Sequence, residues 1–225
     1  MRIAAGLLLL AAAVAGPGGA EDPPRNSLGM PLLFADGFER GAGAWEPEDP
    51  RAWRIERVDG NAVYSQHRQS EVQREVRSPF NRALIRGLVV ADFVLEARVQ
   101  STTREYGHRD ACLFFGFQDP AHHFYAHLGR RADEHAHSLF VVDGAPRVSI
   151  ARTRTDGTPW TDGWHRARLV RRGSSIRAYF DDWERPVMTA DDRRFPEGRV
   201  GLGTFDDTAR FDDVRVWGVR AGFSR

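Results

Sequence analysis

The sequence predicts an all-β fold, a two-sheet antiparallel β-sandwich. Three observations lead there. Apolar and polar residues alternate in short runs along the chain, the period of a half-buried strand, and helical periodicity is scarce. The runs are separated by turn-forming pairs such as Asp59–Gly60, Asp119–Pro120, Asp143–Gly144, Gly173–Ser174 and Asp206–Asp207. About a dozen such runs in a chain of 225 residues match the strand density of a sandwich or jelly roll.

Residues 1–20 read as a cleavable signal peptide: Arg2 is the positive n-region, Ile3 to Val14 is almost wholly apolar, and Gly16 to Ala20 is a small-residue cleavage region. The apolar run is shorter than the roughly 20 residues that span a bilayer. No cysteine lies near the cleavage point and no Arg-Arg pair precedes the apolar core, so a periplasmic or secreted protein with no membrane span after cleavage is expected. Residues 21–31, rich in Pro and Gly, are expected to be a flexible tether, 32–219 one domain, and 220–225 a tail. The strands expected within the domain are 32–35, 52–58, 61–66, 92–100, 111–118, 123–129, 137–142, 146–152, 164–170, 175–181, 198–205 and 210–217. Asn81 to Gly87 is expected to form a short helical turn.

Composition narrows the chemistry. The 32 basic residues are all arginine, against 31 acidic ones, for a formal charge of +1. Without lysine there is no Schiff base, no Walker lysine and no Ser-Lys catalysis. One cysteine, Cys112, excludes an intrachain disulfide and a CxxC pair. The balanced charge argues against a nucleic-acid binder. A monomer is expected.

Two hairpins can be read in detail. In 111–118 and 123–129, alternation puts Ala111, Leu113, Phe115 and Phe117 with Phe124, Ala126 and Leu128 on the core face. The other face carries Cys112, Phe114, Gly116 and Gln118 with His123, Tyr125, His127 and Gly129, a polar and aromatic set suited to reading hydroxyls. Antiparallel pairing across the loop 119–122 predicts 118 opposite 123, 116 opposite 125 and 114 opposite 127. In 164–170 and 175–181, closed by a loop over 171–174, Ala167, Leu169, Ile176, Ala178 and Phe180 are core. Trp164, Arg166, Arg168, Arg177, Tyr179 and Asp181 form the opposite face, expected to be solvated.

The closing segments WHRARLVRRGSSIRAYFDD (164–182) and GRVGLGTFDDTARFDDVRVWG (198–218), with LLFADGFERGAGAW (32–45) at the start, resemble concanavalin A-like lectin/glucanase domains. The stretch 106–150 is similar to secreted bacterial proteins related to the 3-keto-disaccharide hydrolase domain. The resemblance implies a concanavalin A-like jelly roll and a carbohydrate or glycan ligand. It leaves open whether the chain binds sugars, cleaves glycosides, or is a structural or adhesive module without catalysis.

The glucanases of that fold carry Glu-x-Asp-x-x-Glu on one strand; the chain has no such run, which argues against a two-carboxylate retaining glucanase. Cleavage of a 3-keto-glycoside needs only a base for the acidified proton beside the ketone, and a neutral imidazole suits it. His127 is the first candidate for that hydrolase or lyase chemistry, with His108, Asp110 and His135 as further catalytic candidates. Arg109, Gln118, Tyr125, Asp133 and Trp160 are candidate substrate-binding residues, Trp160 as an exposed sugar platform. No cofactor is required. His135 and His137 on one strand face, with His127 nearby and Asp110 or Asp133, would make a transition-metal set. Superfamily sandwiches often hold a structural Ca2+ where first and last strands meet; Asp36, Glu39 and Asp212 are the candidate ligands by that resemblance.

Overall fold

The computed structural model describes residues 23–222. Its strands are β1 (Asn26–Ser27), β2 (Met30–Asp36), β3 (Trp45–Pro47), β4 (Trp53–Val58), β5 (Asn61–Gln66), β6 (Asn81–Ser101), β7 (Cys112–Asp119) and β8 (His122–His127). Then follow β9 (Ser138–Asp143), β10 (Val148–Ser149), β11 (Thr153–Arg154), β12 (His165–Arg172), β13 (Ser175–Phe180), β14 (Met188–Asp191), β15 (Gly198–Thr204) and β16 (Ala209–Arg220). All pairings are antiparallel. The helical content among the described residues is one 3-10 turn, Pro50–Ala52, and no helix is long and apolar enough to cross a membrane.

The long strand β6 organises the sandwich. Its first half pairs with β3 and β15, and its second half with β12 and β16. Gly87, at φ +63°, lies between the halves, a backbone conformation open to glycine at little cost. One layer therefore runs β10-β9-β8-β7-β15 to the first half of β6. The other runs from its second half through β12, β13 and β14 to β11, with β16, β2, β5 and β4 on its other side. The main core fills the space between, from Phe115 and Phe124 on one layer to Leu169 and Ile176 on the other. This is the β-sandwich that the alternation predicts.

Three expectations need correction. Residues 81–87 are strand, not a helical turn: flanked on both sides by β3 and β15, Asn81 to Ile85 are all buried, and ladder pairing overrides local preference. The supposed tether enters the sheet early. Asn26 and Ser27 pair with Met30 and Pro31, and Trp217 Nε1 donates to the Pro24 carbonyl at 2.7 Å. The expected strand at 146–152 shrinks to Val148–Ser149. The short strands β3, β11 and β14 escaped notice in the sequence. The signal peptide expected over 1–20 lies outside the described residues.

The β7–β8 register follows the predicted one at its tip, where Asp119 faces His122, then shifts by two so that Phe114 faces Tyr125 and Cys112 faces His127. The bulge responsible contains Gly116 at φ +55°. A shift of two keeps each side chain on its face. Only Phe117, inside the bulge, changes sides and joins Phe114 and Tyr125 on the outer face. In β12–β13 the ladder runs on to Arg172 opposite Ser175, so the loop is two residues, not four.

Candidate functional site

On the outer face of the first layer, β8 presents His123, Tyr125 and His127 in succession. All are 3% exposed or less. Beside them stand Cys112 and Phe114 of β7 and Phe140 and Val142 of β9, all buried. This face is covered by the chain itself. The segment 67–80 crosses it as a strap, with Val76 and Phe80 packed onto the cluster. Phe80 N donates to Phe205 O at 2.7 Å, and Phe205 stacks on His127 with ring centroids 5.8 Å apart. Arg147 lies 4.2 Å over the Phe205 ring, and Arg82 lies 4.4 Å over Phe117. Arg74 and Arg82 both pair with Glu48, which anchors the strap.

Beneath this cover the polar atoms lack partners. Both ring nitrogens of His123 and of His127, the Tyr125 hydroxyl, and one terminal nitrogen each of Arg82 and Arg147 are buried without a hydrogen bond. Buried polar groups are nearly always paired, so several orphans on one face mark a place built for a guest or for ordered water. Burial, assisted by the nearby Arg82 charge, pushes His123 down to about 3, which keeps its imidazole neutral. Burial also raises the Tyr125 phenol well above its ordinary value. A cleft of about 430 Å3 opens between the strap at Gln73–Val76 and the turn Asp119–His122, beside the His123 end of the row.

At the other end lies a cluster of acids. Asp110, two residues before Cys112 at the start of β7, is fully buried. Its Oδ2 accepts from Phe205 N at 2.9 Å and from the Cys112 thiol at 3.3 Å, and lies 3.0 Å from His127 Nε2. That last approach is off-line, and neither atom of the His127 ring pair forms a hydrogen bond. Asp207 accepts from Asp110 N at 2.9 Å and from the Tyr106 hydroxyl at 2.6 Å. Burial first, then the neighbouring Asp110, raises Asp207 to about 7 and also raises Asp206, the exposed member of the trio. The same two causes, in the same order, raise the Cys112 thiol well above its usual value. Protonated, it is no nucleophile. Two sets of side chains here bring ligand atoms within 4.8 Å of one another: Asp110, Cys112 and His127, and Asp110, Asp206 and Asp207.

Of the residues singled out in the sequence, the structure brings together His127, Asp110 and Tyr125. His108 and Asp133 pair with each other at 2.5 Å on the surface nearby. His135 is exposed, its amide bonded to Asp133 at 2.7 Å. His137 bonds Thr155 at 2.9 Å and shares no ligand set with His135. Arg109 is 1% exposed and spans Ser101 O at 3.0 Å and Asp162 at 2.9 Å, a structural tie. Gln118, in the bulge, bonds the carbonyls of Gly116 and Glu197.

Trp160 is not an exposed platform. It is 2% exposed; its indole donates to Leu128 O at 2.8 Å and packs edge-on against Phe180 at 4.8 Å. The loop after Thr155 folds inward because the indole fills the sandwich edge and finds its acceptor there.

Asp36 accepts from Phe38 N at 2.8 Å and the Trp45 indole at 3.0 Å. Glu39 accepts from Ala62 N at 2.8 Å, and Asp212 from Asn61 at 2.9 Å and Asp213 N at 2.7 Å. Among the described residues these three do not form a common ligand set.

Sequence reasoning missed Cys112, Tyr106, Arg147 and the Asp206–Asp207 pair. A signal existed for Cys112, which shares the polar face with His127 and stands two residues from Asp110. Asp206 and Asp207 read only as a turn, and nothing local says that the turn returns to Asp110.

No family model and no curated protein matches the chain. Solved structures do. A carbohydrate-binding module, CBM66 from Bacillus subtilis, superposes with a TM-score of 0.56 at 19% identity over 78% of this chain and 96% of that one. A protein of unknown function with a galectin-like fold from Bacillus subtilis superposes with a TM-score of 0.53 at 15% identity over 84% and 97%. A GH43 protein from Bacillus licheniformis gives 0.56 at 13% identity over 82% of this chain and 39% of its own. These likenesses show the fold, an antiparallel β-sandwich of the galectin-like kind.

Proposed function

We propose that the protein is an exported carbohydrate-binding or carbohydrate-processing sandwich that takes its ligand along the outer face of β7, β8 and β9. The observation that carries this is the row of buried, unpartnered polar atoms on His123, Tyr125 and His127. The row from His123 to His127 spans about 13 Å, the length of a short oligosaccharide, which would enter by displacing the strap. Neutral imidazole, phenol and guanidinium donors facing aromatic rings are a natural mixture for hydroxyls and sugar ring faces. The cleft beside Gln73–Val76 offers an entrance, and the strap closes over the guest. The carbohydrate-binding module among the structural neighbours agrees with this reading.

The finer reading is cleavage of a 3-keto-glycoside with His127 as base. It is favoured by the His127 ring, which sits 3.0 Å from Asp110 yet keeps both nitrogens unbonded. A base needs a free lone pair and an acid nearby to stabilise its protonated form.

The test is a calorimetric and turnover screen of the protein against neutral and uronic oligosaccharides and against ordinary and 3-keto disaccharides. Binding by at least one sugar, weakened in His123→Ala, is expected. No binding across the panel overturns the glycan reading. Turnover of a 3-keto substrate that persists in His127→Ala overturns the base.

A further inference from the structure

We infer that Asp110, Cys112 and His127 form a site for one divalent transition-metal ion of the zinc type, with exposed Asp206 at its mouth. The inference goes beyond the glycan reading and stands whether or not the face takes a sugar.

The donor set is the first argument. Thiolate, imidazole and carboxylate together suit zinc and its neighbours rather than calcium or magnesium, which prefer oxygen alone.

Geometry is the second. Tetrahedral zinc, with bonds of about 2.0–2.3 Å, holds neighbouring ligand atoms roughly 3.3–3.6 Å apart. Asp110 Oδ2 is 3.3 Å from the Cys112 sulfur and 3.0 Å from His127 Nε2, and all three ligand atoms lie within 4.8 Å of one another. Register builds the set: Cys112 and His127 face each other directly across β7 and β8, and Asp110 is two residues ahead on the same side.

The third argument is what the ligands lack. His127 is 3% exposed and Asp110 0%, yet both ring nitrogens of His127 and Asp110 Oδ1 are unpartnered. The imidazole lies beside the carboxylate without aiming a hydrogen bond at it. A histidine that was simply part of a structural network would have turned to make that bond. Phe205 N donates to the same Asp110 Oδ2 at 2.9 Å and fixes the carboxylate, the kind of support that outer partners give a ligating carboxylate, while Oδ1 stays unpartnered. Asp206, with a carboxylate oxygen within 4.8 Å of those of Asp110 and Asp207, leaves the fourth position to itself or to water. On binding, the Cys112 S–H bond breaks, its proton goes to solvent, and the sulfur lone pair forms the bond to the ion.

The test is spectroscopic. The full chain, freed of metal with a chelator, is titrated with Co2+ and then with Zn2+. The site predicts a near-ultraviolet thiolate-to-cobalt charge-transfer band that saturates at one equivalent and is bleached by Zn2+. Cys112→Ser is expected to lose the band. Outer-partner losses alone cost about 10–100-fold in affinity, so loss of this ligand should cost at least as much. His127→Gln serves as the second variant and should weaken Co2+ binding comparably; melting curves in chelator confirm that each variant is folded. Absence of a charge-transfer band, unchanged affinity in the folded variants, or uptake of Ca2+ in preference to Zn2+ overturns the inference. A sugar panel that fails while the band appears would sink the glycan reading alone, and the reverse result would sink only the metal.

Discussion

The hairpins β7–β8 and β12–β13 have similar lengths and the same alternating pattern, and the sandwich uses them in opposite ways. Each puts one face into the shared core. On β12–β13 the other face is open at Arg166 and Arg177 but covered at Val170 and at Tyr179, which packs with Met30 and Trp217 instead of meeting solvent as the sequence predicts. Its charges find partners: Arg168 pairs with Glu96 at 2.5 Å, Arg166 reaches the same carboxylate at 3.8 Å, and both arginines lie over Trp183. On β7–β8 the other face is roofed by the strap and Phe205, and its polar atoms are left without partners. The difference is in whether the polar groups find partners, not in the strands. A charged outer face satisfies itself in water at little cost, whereas a covered one with orphaned donors has given up stability that a ligand can return.

Four substitutions try to break that contrast. The largest effect is expected at Asp110, which is fully buried and holds Phe205 N, the Cys112 thiol and the neighbourhood of His127. Asp110→Ala should lower stability in urea by about 3 kcal/mol or more, the range for breaking a buried charged network. A loss below about 1 kcal/mol would show that the cluster is not the keystone of the covered face.

Next comes Trp160→Phe. Losing the bond to Leu128 O and part of a core indole should cost about 2 kcal/mol while leaving sugar binding unchanged. Weakened binding in the folded variant would restore the sequence-based expectation of a sugar platform.

The third effect is a pH dependence. His123 sits near 6.5 when unfolded and about 3 when folded, so between those values the unfolded chain holds more protons. Its contribution is fully present above about pH 6.5 and is lost progressively as pH falls toward 3. His123→Phe should flatten the stability profile in that window; an unchanged acid limb in denaturant melts contradicts the assignment.

The smallest effect belongs to the paired hairpin. Arg166, 56% exposed and 3.8 Å from Glu96, should lose less than about 0.5 kcal/mol on substitution by alanine, measured by the same urea unfolding. A larger loss would mean that the two faces are less different than their pairing implies.

Much of the fold was legible in the sequence because period-2 alternation and turn residues are local signals. The face assignments of both hairpins followed from alternation, and the bulge at Gly116 changed only Phe117, since a two-residue shift preserves parity. The strand at 81–87 was not legible, because residues buried on both faces lose their alternation. The site was half legible. Tyr125 and His127 stood out on one polar face, and Asp110 stood close by in the chain. Asp206 and Asp207 are some 95 residues away from Asp110, and only the pairing of β15 with β7 carries them back. Trp160 misled because loop position says nothing about which way an indole turns.

The central claim is that the β8 row is kept unpartnered for a ligand. Tyr125→Phe tests it most directly, because it removes only an unpartnered buried hydroxyl. The measurement is a paired one: melting stability of wild type and variant, and calorimetric affinity for whichever oligosaccharide of the panel binds. The account predicts a variant as stable as wild type or more so, by up to about 1 kcal/mol, that binds roughly tenfold more weakly. A variant that loses stability and binds the sugar as tightly as wild type would contradict it.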